Sequence, residues 1–131
     1  MTAAAANQAD VRAYEVHARS TDVFGRVLCS ARDQHVVVDG PVQNGCPGEA
    51  LTPAEAFLAG VAACGVELLQ VLARDQGTPL RSVQVDVSGR IDRGRRVHPA
   101  YTVFTDVAVR FRLAGVPPAE AERLVESFKG R

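Results

Sequence analysis

The sequence is poor in aromatic residues and has no net charge. Its 131 residues include no Trp, two Tyr and five Phe, and Lys plus Arg equals Asp plus Glu at 15 each. So few rings argue against a platform on which nucleic-acid bases stack. A balanced charge argues against attraction to nucleic acid or to an anionic membrane. We therefore predict neither a nucleic-acid partner nor a membrane partner.

Cysteine is also scarce. The three cysteines, Cys29, Cys46 and Cys64, form no C-x-x-C pair and have no metal-ligand spacing with the three histidines. The sequence begins without the basic start and the continuous apolar stretch of a secretory signal. Free thiols without such a signal are typical of a reducing compartment. The sequence thus predicts a cytoplasmic protein with no metal and no cofactor.

The composition fits one folded domain. Apolar residues make up 47% of the chain and charged residues 23%, which excludes the disordered class. The sequence contains no internal repeat and no segment with the composition of a linker. We expect a single domain over residues 1–131, with about residues 1–10 as a flexible tail.

The hydrophobic pattern predicts an α+β fold. Three short strands are expected within residues 11–20, 24–29 and 35–38, followed by a loop rich in Gly and Pro. Two longer segments, 83–91 and 101–113, alternate apolar and polar residues, as expected of antiparallel strands with one solvated face. A turn rich in arginine joins them. The chain then forms an amphipathic helix whose apolar stripe is Ala121, Leu124, Val125 and Phe128.

A long apolar helix is predicted between these two groups of strands. Thr52 and Glu55 match a capping box around Pro53, and Arg74 lies in the last turn before a Gly-Thr-Pro stop. The helix is apolar on every side, so we expect it to be central and buried. Its length also fits a membrane span, but its Glu and Gln residues and its Ala/Gly-rich composition favour a buried helix. Because two small sheets cannot cover it, we expect two copies to pack their helices together in a dimer.

Cys64 lies in the middle of this helix, and the sequence leaves two interpretations of it open. A nucleophilic thiolate would need a positively charged partner from another element, because the middle of a helix gives no help from the helix dipole. The simpler interpretation is a small core residue, since free cysteine is commonly buried. In either case we expect the thiol to lie at the centre of the molecule.

Three segments of the chain resemble one known family. They are residues 35–41 (His-Val-Val-Val-Asp-Gly-Pro), residues 51–64 (Leu-Thr-Pro-Ala-Glu-Ala-Phe-Leu-Ala-Gly-Val-Ala-Ala-Cys) and residues 97–115, with their His-Pro and a hydrophobic strand that ends in Gly. In this order they are similar to the OsmC-like superfamily, which includes osmotically inducible protein C and organic hydroperoxide resistance proteins. The resemblance implies an intertwined α+β homodimer, with antiparallel sheets wrapped around two long central helices.

The resemblance also implies a thiol peroxidase site at the dimer interface. In the family a helix cysteine, matched here by Cys64, attacks an organic hydroperoxide, and a second cysteine near the C-terminus reduces the sulfenic acid that forms. No cysteine follows the last helix within these 131 residues, so either the natural chain continues beyond Arg131 or the protein lacks the resolving cysteine. Ala54 stands where the hydroperoxide resistance proteins have glutamate. Their activating arginine corresponds to a position near Val23, so the nearby Arg19 and Arg26 are the candidates for its role.

Each remaining candidate residue also has a simpler role. Arg19 and Arg26 either stabilise the thiolate or are solvated strand residues. Glu55 either orients such an arginine or only completes the helix cap. Glu67, three residues after the helix cysteine and on the same side, either anchors an arginine or reaches solvent. Cys46, in the Gly/Pro loop, is either an alternative resolving thiol or incidental.

Two functions follow from these residues. The first is a thiol-dependent peroxidase that reduces organic hydroperoxides through Cys64, in a one-cysteine cycle with an external thiol reductant. The second is a non-catalytic OsmC-like dimer that binds a small apolar or thiol-bearing ligand at its interface. The absence of a second cysteine after the last helix and the presence of Ala54 favour this second function.

Overall fold

The computed structural model describes residues 10–131. The predicted tail lies outside the described residues, apart from Asp10. The described chain consists of two compact units, with the boundary between Pro53 and Ala54. The single domain expected from the composition stays a prediction.

The first unit is a three-stranded antiparallel sheet in the order β1-β2-β3. Its strands are β1 (His17–Ser20), β2 (Arg26–Ala31) and β3 (Gln34–Asp39). β1 is shorter than the strand predicted at residues 11–20, because only the last four of those residues have partners in β2. A two-residue turn joins β2 to β3, and Arg32 in that turn has a φ of 55°. The Gly/Pro loop that follows β3 contains one short 3-10 turn, Val42–Asn44.

The second unit contains two helices and a two-stranded antiparallel sheet. Its elements in chain order are α1 (Pro53–Gln76), β4 (Ser82–Arg90), β5 (Asp106–Ala114) and α2 (Pro118–Lys129). α1 begins at Pro53, as the Thr-Pro-x-Glu pattern predicts, and it ends two residues after Arg74. Gly77 follows with a φ of 67°, a conformation that glycine adopts without strain at the end of a helix. The predicted α+β fold class is confirmed.

The second long strand begins later than predicted. β4 pairs with β5 over its full length, and the last pair joins Arg90 to Asp106. No residue of β4 is left to pair with residues 101–105, which therefore lie in the connecting loop. That loop spans residues 91–105, where a tight turn at residues 92–96 was expected.

The core of the second unit is formed by α1, α2 and the inner face of the sheet. Its buried residues are Leu69, Leu72, Ala73 and Leu124. Phe111 of β5 meets Phe128 of α2 edge to face, with ring centroids 5.4 Å apart. Val125 also packs against this cluster. The predicted apolar stripe of α2 therefore faces the core.

The single chain buries only one side of α1, as expected for a helix that two small sheets cannot cover. The four buried residues of the helix are Gly65, Leu69, Leu72 and Ala73. By length and composition α1 could cross a membrane, and only 22% of its most apolar stretch is buried. The reason is geometric, because a two-stranded sheet and one short helix can cover only one side of a helix of 24 residues. Its remaining apolar side needs another partner.

Two glycines of α1 give a matched pair of stability predictions. No atom lies within 4 Å of a Cβ built on Gly60, so Gly60→Ala is expected to stabilise the helix by about 1 kcal/mol through helix propensity alone. A Cβ on Gly65 would lie 3.2 Å from Val85 Cγ2 and 3.4 Å from Phe111 Cε1. Gly65→Ala therefore has to displace the sheet, and we expect it to lose most or all of that gain. Chemical denaturation of both variants measures the difference, and equal stabilisation would contradict the tight packing at Gly65.

Candidate functional site

Cys64 is exposed on α1 of the single chain, and its expected place at the centre of a dimer stays a prediction. The next residue, Gly65, is buried against Val85 and Phe111 of the sheet. Successive helical residues point about 100° apart, so the close packing of Gly65 turns Cys64 away from the core. Within residues 10–131 the Cys64 sulfur has no hydrogen-bond partner. A free, accessible thiol is therefore the main chemical feature of α1.

An aromatic pair lies on the Cys64 side of the helix. Phe57 precedes Cys64 by seven residues, or two turns, which places the two side chains on one side about 10 Å apart along the axis. Phe57 stacks on Phe104 from the loop, with ring centroids 5.6 Å apart and an angle of 25° between the rings. Phe104 in turn covers Gly89 of β4, where a Cβ would lie 2.8 Å from the ring. The thiol thus shares its side of α1 with an apolar surface.

The two glutamates of α1 lie at different places relative to Cys64. Glu67 is exposed, less than one turn beyond Cys64 and on the same side. It forms no ion pair within the described part of the chain, so the solvent-reached alternative fits the single chain. Glu55 is exposed in the first turn of α1, two and a half turns from Cys64 and therefore on the opposite side of the helix. The structure brings Glu67 near Cys64 and keeps Glu55 away from it along the helix.

In the first unit, Arg26 forms a two-pronged ion pair with Asp39. Arg26 Nε and Nη2 donate to the two carboxylate oxygens of Asp39 at 2.8 and 2.9 Å. The backbone N–H of Glu49 donates to Asp39 at 2.9 Å, and the Glu49 carboxylate lies 3.5 Å from Arg26 Nη2. Asp39 is fully buried, whereas the Arg26 side chain is 30% exposed. Arg26 is therefore held in one orientation with its outer edge accessible to solvent.

This ion pair shifts the pKa of both partners. The hydrogen bonds from Arg26 lower the pKa of Asp39 from 3.8 to about 2; removal of the carboxylate from water opposes this shift, and the backbone N–H of Glu49 adds to it. The hydrogen bond to Asp39 is also the first cause of the raised pKa of Arg26. Both groups are thus held in their charged forms over the whole physiological range.

Both candidate arginines lie on one face of the three-stranded sheet. Arg19 is paired with Leu28, and Leu28 lies two residues from Arg26 on β2. Because side chains two residues apart on a strand point to the same face, Arg19 and Arg26 share that face, together with Asp39. Cys29 lies on the opposite face. Arg19 is exposed and has no ion pair among the described residues, whereas Arg26 is paired.

Asp39 is the site residue that the sequence analysis missed. It stands in the Asp-Gly-Pro segment, but no role was assigned to it, because Arg26 is thirteen positions away. The available signal was an acidic residue at the end of an apolar strand, directly before a loop rich in Gly and Pro. A carboxylate in such a place needs several hydrogen-bond donors.

The thiol of Cys46 is packed against neighbouring backbone and is only partly exposed to solvent. Its sulfur occupies the space next to Gly25 and Gly40, where a Cβ on either glycine would overlap it. Gly40 also donates its backbone N–H to the carbonyl of Gly25 at 2.8 Å. The part of the chain that the structure describes contains no group of three or more His, Cys, Asp or Glu residues that could hold a metal.

Comparison with known proteins identifies the family. The model of the family described as OsmC-like protein matches residues 46–131. A search of curated proteins found no match. An OsmC-like protein from Mycoplasma pneumoniae is 15% identical with a TM-score of 0.75, over 92% of this chain and 82% of that one. The organic hydroperoxide resistance protein OsmC from Legionella pneumophila is 23% identical with a TM-score of 0.67, over 90% and 82%.

A third solved structure is of a proposed organic hydroperoxide resistance protein from Vibrio cholerae, with captopril bound in one of its active sites. It is 21% identical, with a TM-score of 0.68, over 91% of this chain and 80% of that one. At these identities the solved structures show a shared fold and no more. Together with the family match over most of the chain, they establish that this protein belongs to the OsmC-like family and has its α+β fold.

Proposed function

We propose that this protein is a thiol-dependent peroxidase that reduces organic hydroperoxides through Cys64. The observation that carries the proposal is the exposed thiol of Cys64, which shares its side of α1 with the Phe57–Phe104 pair. An accessible thiol gives a hydroperoxide a nucleophile. The aromatic surface beside it suits an apolar substituent better than it suits hydrogen peroxide.

The chemistry takes place in two stages. The Cys64 thiolate attacks the outer oxygen of the hydroperoxide, the O–O bond breaks, and the alkoxide leaves and takes up a proton to form the alcohol. Cys64 is then a sulfenic acid, oxidised by two electrons. An external dithiol supplies those electrons: its first thiol displaces water to form a mixed disulfide, and its second thiol releases Cys64 and closes its own disulfide.

A positive charge beside the sulfur is needed to hold the thiolate. Arg26 and Arg19 are the candidates that we propose for this role. Arg26 is pre-oriented by Asp39 and Glu49, whereas Arg19 has no ion pair among residues 10–131. The family's glutamate is absent at Ala54, so in this proposal Asp39 supplies the carboxylate that orients the arginine. Glu55 then has only its role at the start of the helix, and Glu67 stays a solvated residue or a partner for an arginine of a second chain.

The second candidate function is a non-catalytic dimer that binds a small apolar or thiol-bearing ligand. It is favoured by Ala54, which stands where the hydroperoxide resistance proteins have glutamate. The Vibrio cholerae structure, which holds captopril in an active site, is a precedent in a protein of similar fold. In the peroxidase function Cys64 is oxidised and then reduced again in each cycle. In the binding function the ligand only contacts Cys64.

We also propose that the protein works as a homodimer in the cytoplasm. The exposed apolar side of α1, including Phe57 at 61% exposure, is the surface that a second copy would cover. In this proposal the substrate therefore binds beside Cys64 at the dimer interface. Light scattering on the purified protein is expected to give twice the chain mass of 14.0 kDa. A monomer at micromolar concentration would contradict the proposed assembly.

The direct test of the activity is consumption of an organic hydroperoxide by the wild-type protein, with a dithiol as reductant. We expect turnover with cumene hydroperoxide and tert-butyl hydroperoxide, and slower turnover with hydrogen peroxide. A wild-type protein that consumes none of them, with Cys64 unreactive towards a thiol probe in the folded state, would overturn the peroxidase function and favour a binding or structural role.

A further inference from the structure

The loop that connects β4 to β5 carries a local positive charge. Arg93, Arg95 and Arg96 are all exposed, and none of them forms an ion pair within the described residues. Across residues 10–131 the one hydrogen bond of these guanidinium groups is a long one, of 3.4 Å, from Arg96 Nη1 to the carbonyl oxygen of Pro99. The loop therefore carries three exposed guanidinium groups, close together in sequence, that have no ion pair within the described residues.

The acidic groups near the loop do not neutralise this charge. Asp106 is already paired with Arg90 at 2.7 Å, at the end of the hairpin. Asp92 is the only carboxylate within residues 91–105, and it accepts a hydrogen bond from the backbone N–H of Gly94 at 2.9 Å. Three arginines against one aspartate leave the loop with a net charge of +2, although the whole chain is neutral.

The same loop exposes large apolar side chains. Their exposed fractions are 46% for Ile91, 64% for Val97, 59% for Tyr101 and 46% for Val103. The Tyr101 ring stacks on His98 with centroids 3.9 Å apart, and its other side is exposed to solvent. Guanidinium groups and apolar side chains together in one loop form the pattern of a surface that lies in the headgroup layer of a bilayer.

We propose that residues 91–103 dock the protein on a membrane that contains anionic phospholipid. The arginines bind lipid phosphates, and Val97 and Tyr101 enter the boundary between headgroups and acyl chains. A second copy of the chain fits this loop less well, because an interface there would bury three cations with one carboxylate to neutralise them. Nucleic acid fits less well too, since valine side chains offer bases no stacking surface.

This proposal departs from the prediction of no membrane partner, which rested on the net charge of the whole chain. A net charge of zero does not show that the cations are gathered on one loop. The proposal is also independent of the peroxidase activity, because docking is measured without turnover. It places the protein where apolar peroxides partition.

The test is cosedimentation of the full-length protein with lipid vesicles. We expect binding to phosphatidylcholine vesicles that contain about one third phosphatidylglycerol, weak binding to pure phosphatidylcholine, and loss of binding at about 0.5 M salt. The triple variant R93Q/R95Q/R96Q is expected to lower the partition coefficient about 100-fold, which corresponds to about 1 kcal/mol for each arginine. Val97→Ser is expected to lower it about fivefold.

The matched control is R12Q/R81Q/R131Q. It removes the same charge from three exposed arginines that lie outside the loop and have no ion pair in the described chain. We expect this control to bind within about threefold of wild type, because it leaves all the arginines of residues 91–103 in place. Circular dichroism of both triple variants confirms that they fold.

Several results would overturn the proposal. One is equal loss of binding in both triple variants, which would indicate a general charge effect. Another is binding that is insensitive to salt and to lipid charge, which would indicate insertion of the apolar α1. Retention on single-stranded DNA without binding to vesicles would assign the loop to nucleic acid instead.

Discussion

Cys64→Ser is expected to lower the rate of organic hydroperoxide consumption by about 10³-fold or more. A serine hydroxyl is a far weaker nucleophile than a thiolate, and no other described thiol shares the exposure of Cys64 on α1. Turnover of cumene hydroperoxide with a dithiol reductant measures the loss. Mass spectrometry after one equivalent of hydroperoxide, with dimedone as a trap, is expected to place a single sulfenic acid at Cys64.

The matched controls for this prediction are Cys29→Ser and Cys46→Ser. Both cysteines are only partly exposed, and Cys46 is packed beside Gly25 and Gly40. We expect each variant to retain activity within about threefold of wild type. A large loss in Cys46→Ser would replace the one-cysteine cycle with a two-cysteine cycle. Full activity in Cys64→Ser would remove Cys64 from the mechanism altogether.

Asp39→Asn is expected to lower the melting temperature by roughly 5–10 °C. Asparagine has the same shape but no charge, and its amide keeps only one acceptor oxygen. Arg26 therefore loses one of its two hydrogen bonds and its ion-pair partner, and the amide NH2 faces other donors. The loop that donates the Glu49 N–H to Asp39 is loosened at the same time. Differential scanning calorimetry measures the change. If Arg26 is the arginine that holds the thiolate, the variant also reacts more slowly with a thiol probe.

The pH dependence of stability gives an independent measurement of the same pair. The pKa of Asp39 is lowered from 3.8 in the unfolded chain to about 2 in the folded chain. Asp39 therefore contributes stability that is fully present above about pH 4 and is lost as the pH falls towards 2. We expect the wild-type melting temperature to fall over this window and Asp39→Asn to show a weaker fall.

Asp106→Asn is the surface control for Asp39→Asn. The ion pair between Arg90 and Asp106 has a similar geometry, and Arg90 likewise lowers the pKa of Asp106. Both side chains are exposed, however, at 73% and 49%, so solvent screens the pair. We expect a change of about 2 °C or less. Equal effects of the two substitutions would show that burial of Asp39 contributes nothing.

The elements that were predicted correctly are those whose signals are local in sequence. The start of α1 follows from the Thr-Pro-x-Glu pattern. The alternation of exposed and half-buried residues along β4 follows from the alternation of polar and apolar residues between Ser82 and Arg90. The stripe of α2 repeats at helical spacing, and Leu124 within it is buried. A periodic pattern of this kind records which side of an element faces the core, whatever the rest of the chain does. The Cys64 segment likewise carried the resemblance to the family.

Tertiary structure decided the features that join distant residues. The pairing of Arg26 with Asp39 depends on the register of β2 with β3, and a shift of one residue would put the two on different faces. The start of β5 depends on the end of β4, whose last residue, Arg90, pairs with Asp106. The exposure of Cys64 depends on the packing of Gly65 against Val85. The sequence by itself therefore determined the fold class, the main elements and the family resemblance, because these follow from local periodicity and from motifs. Only the folded chain decided which groups are buried, paired or free, because these properties depend on neighbours that the order of residues does not reveal.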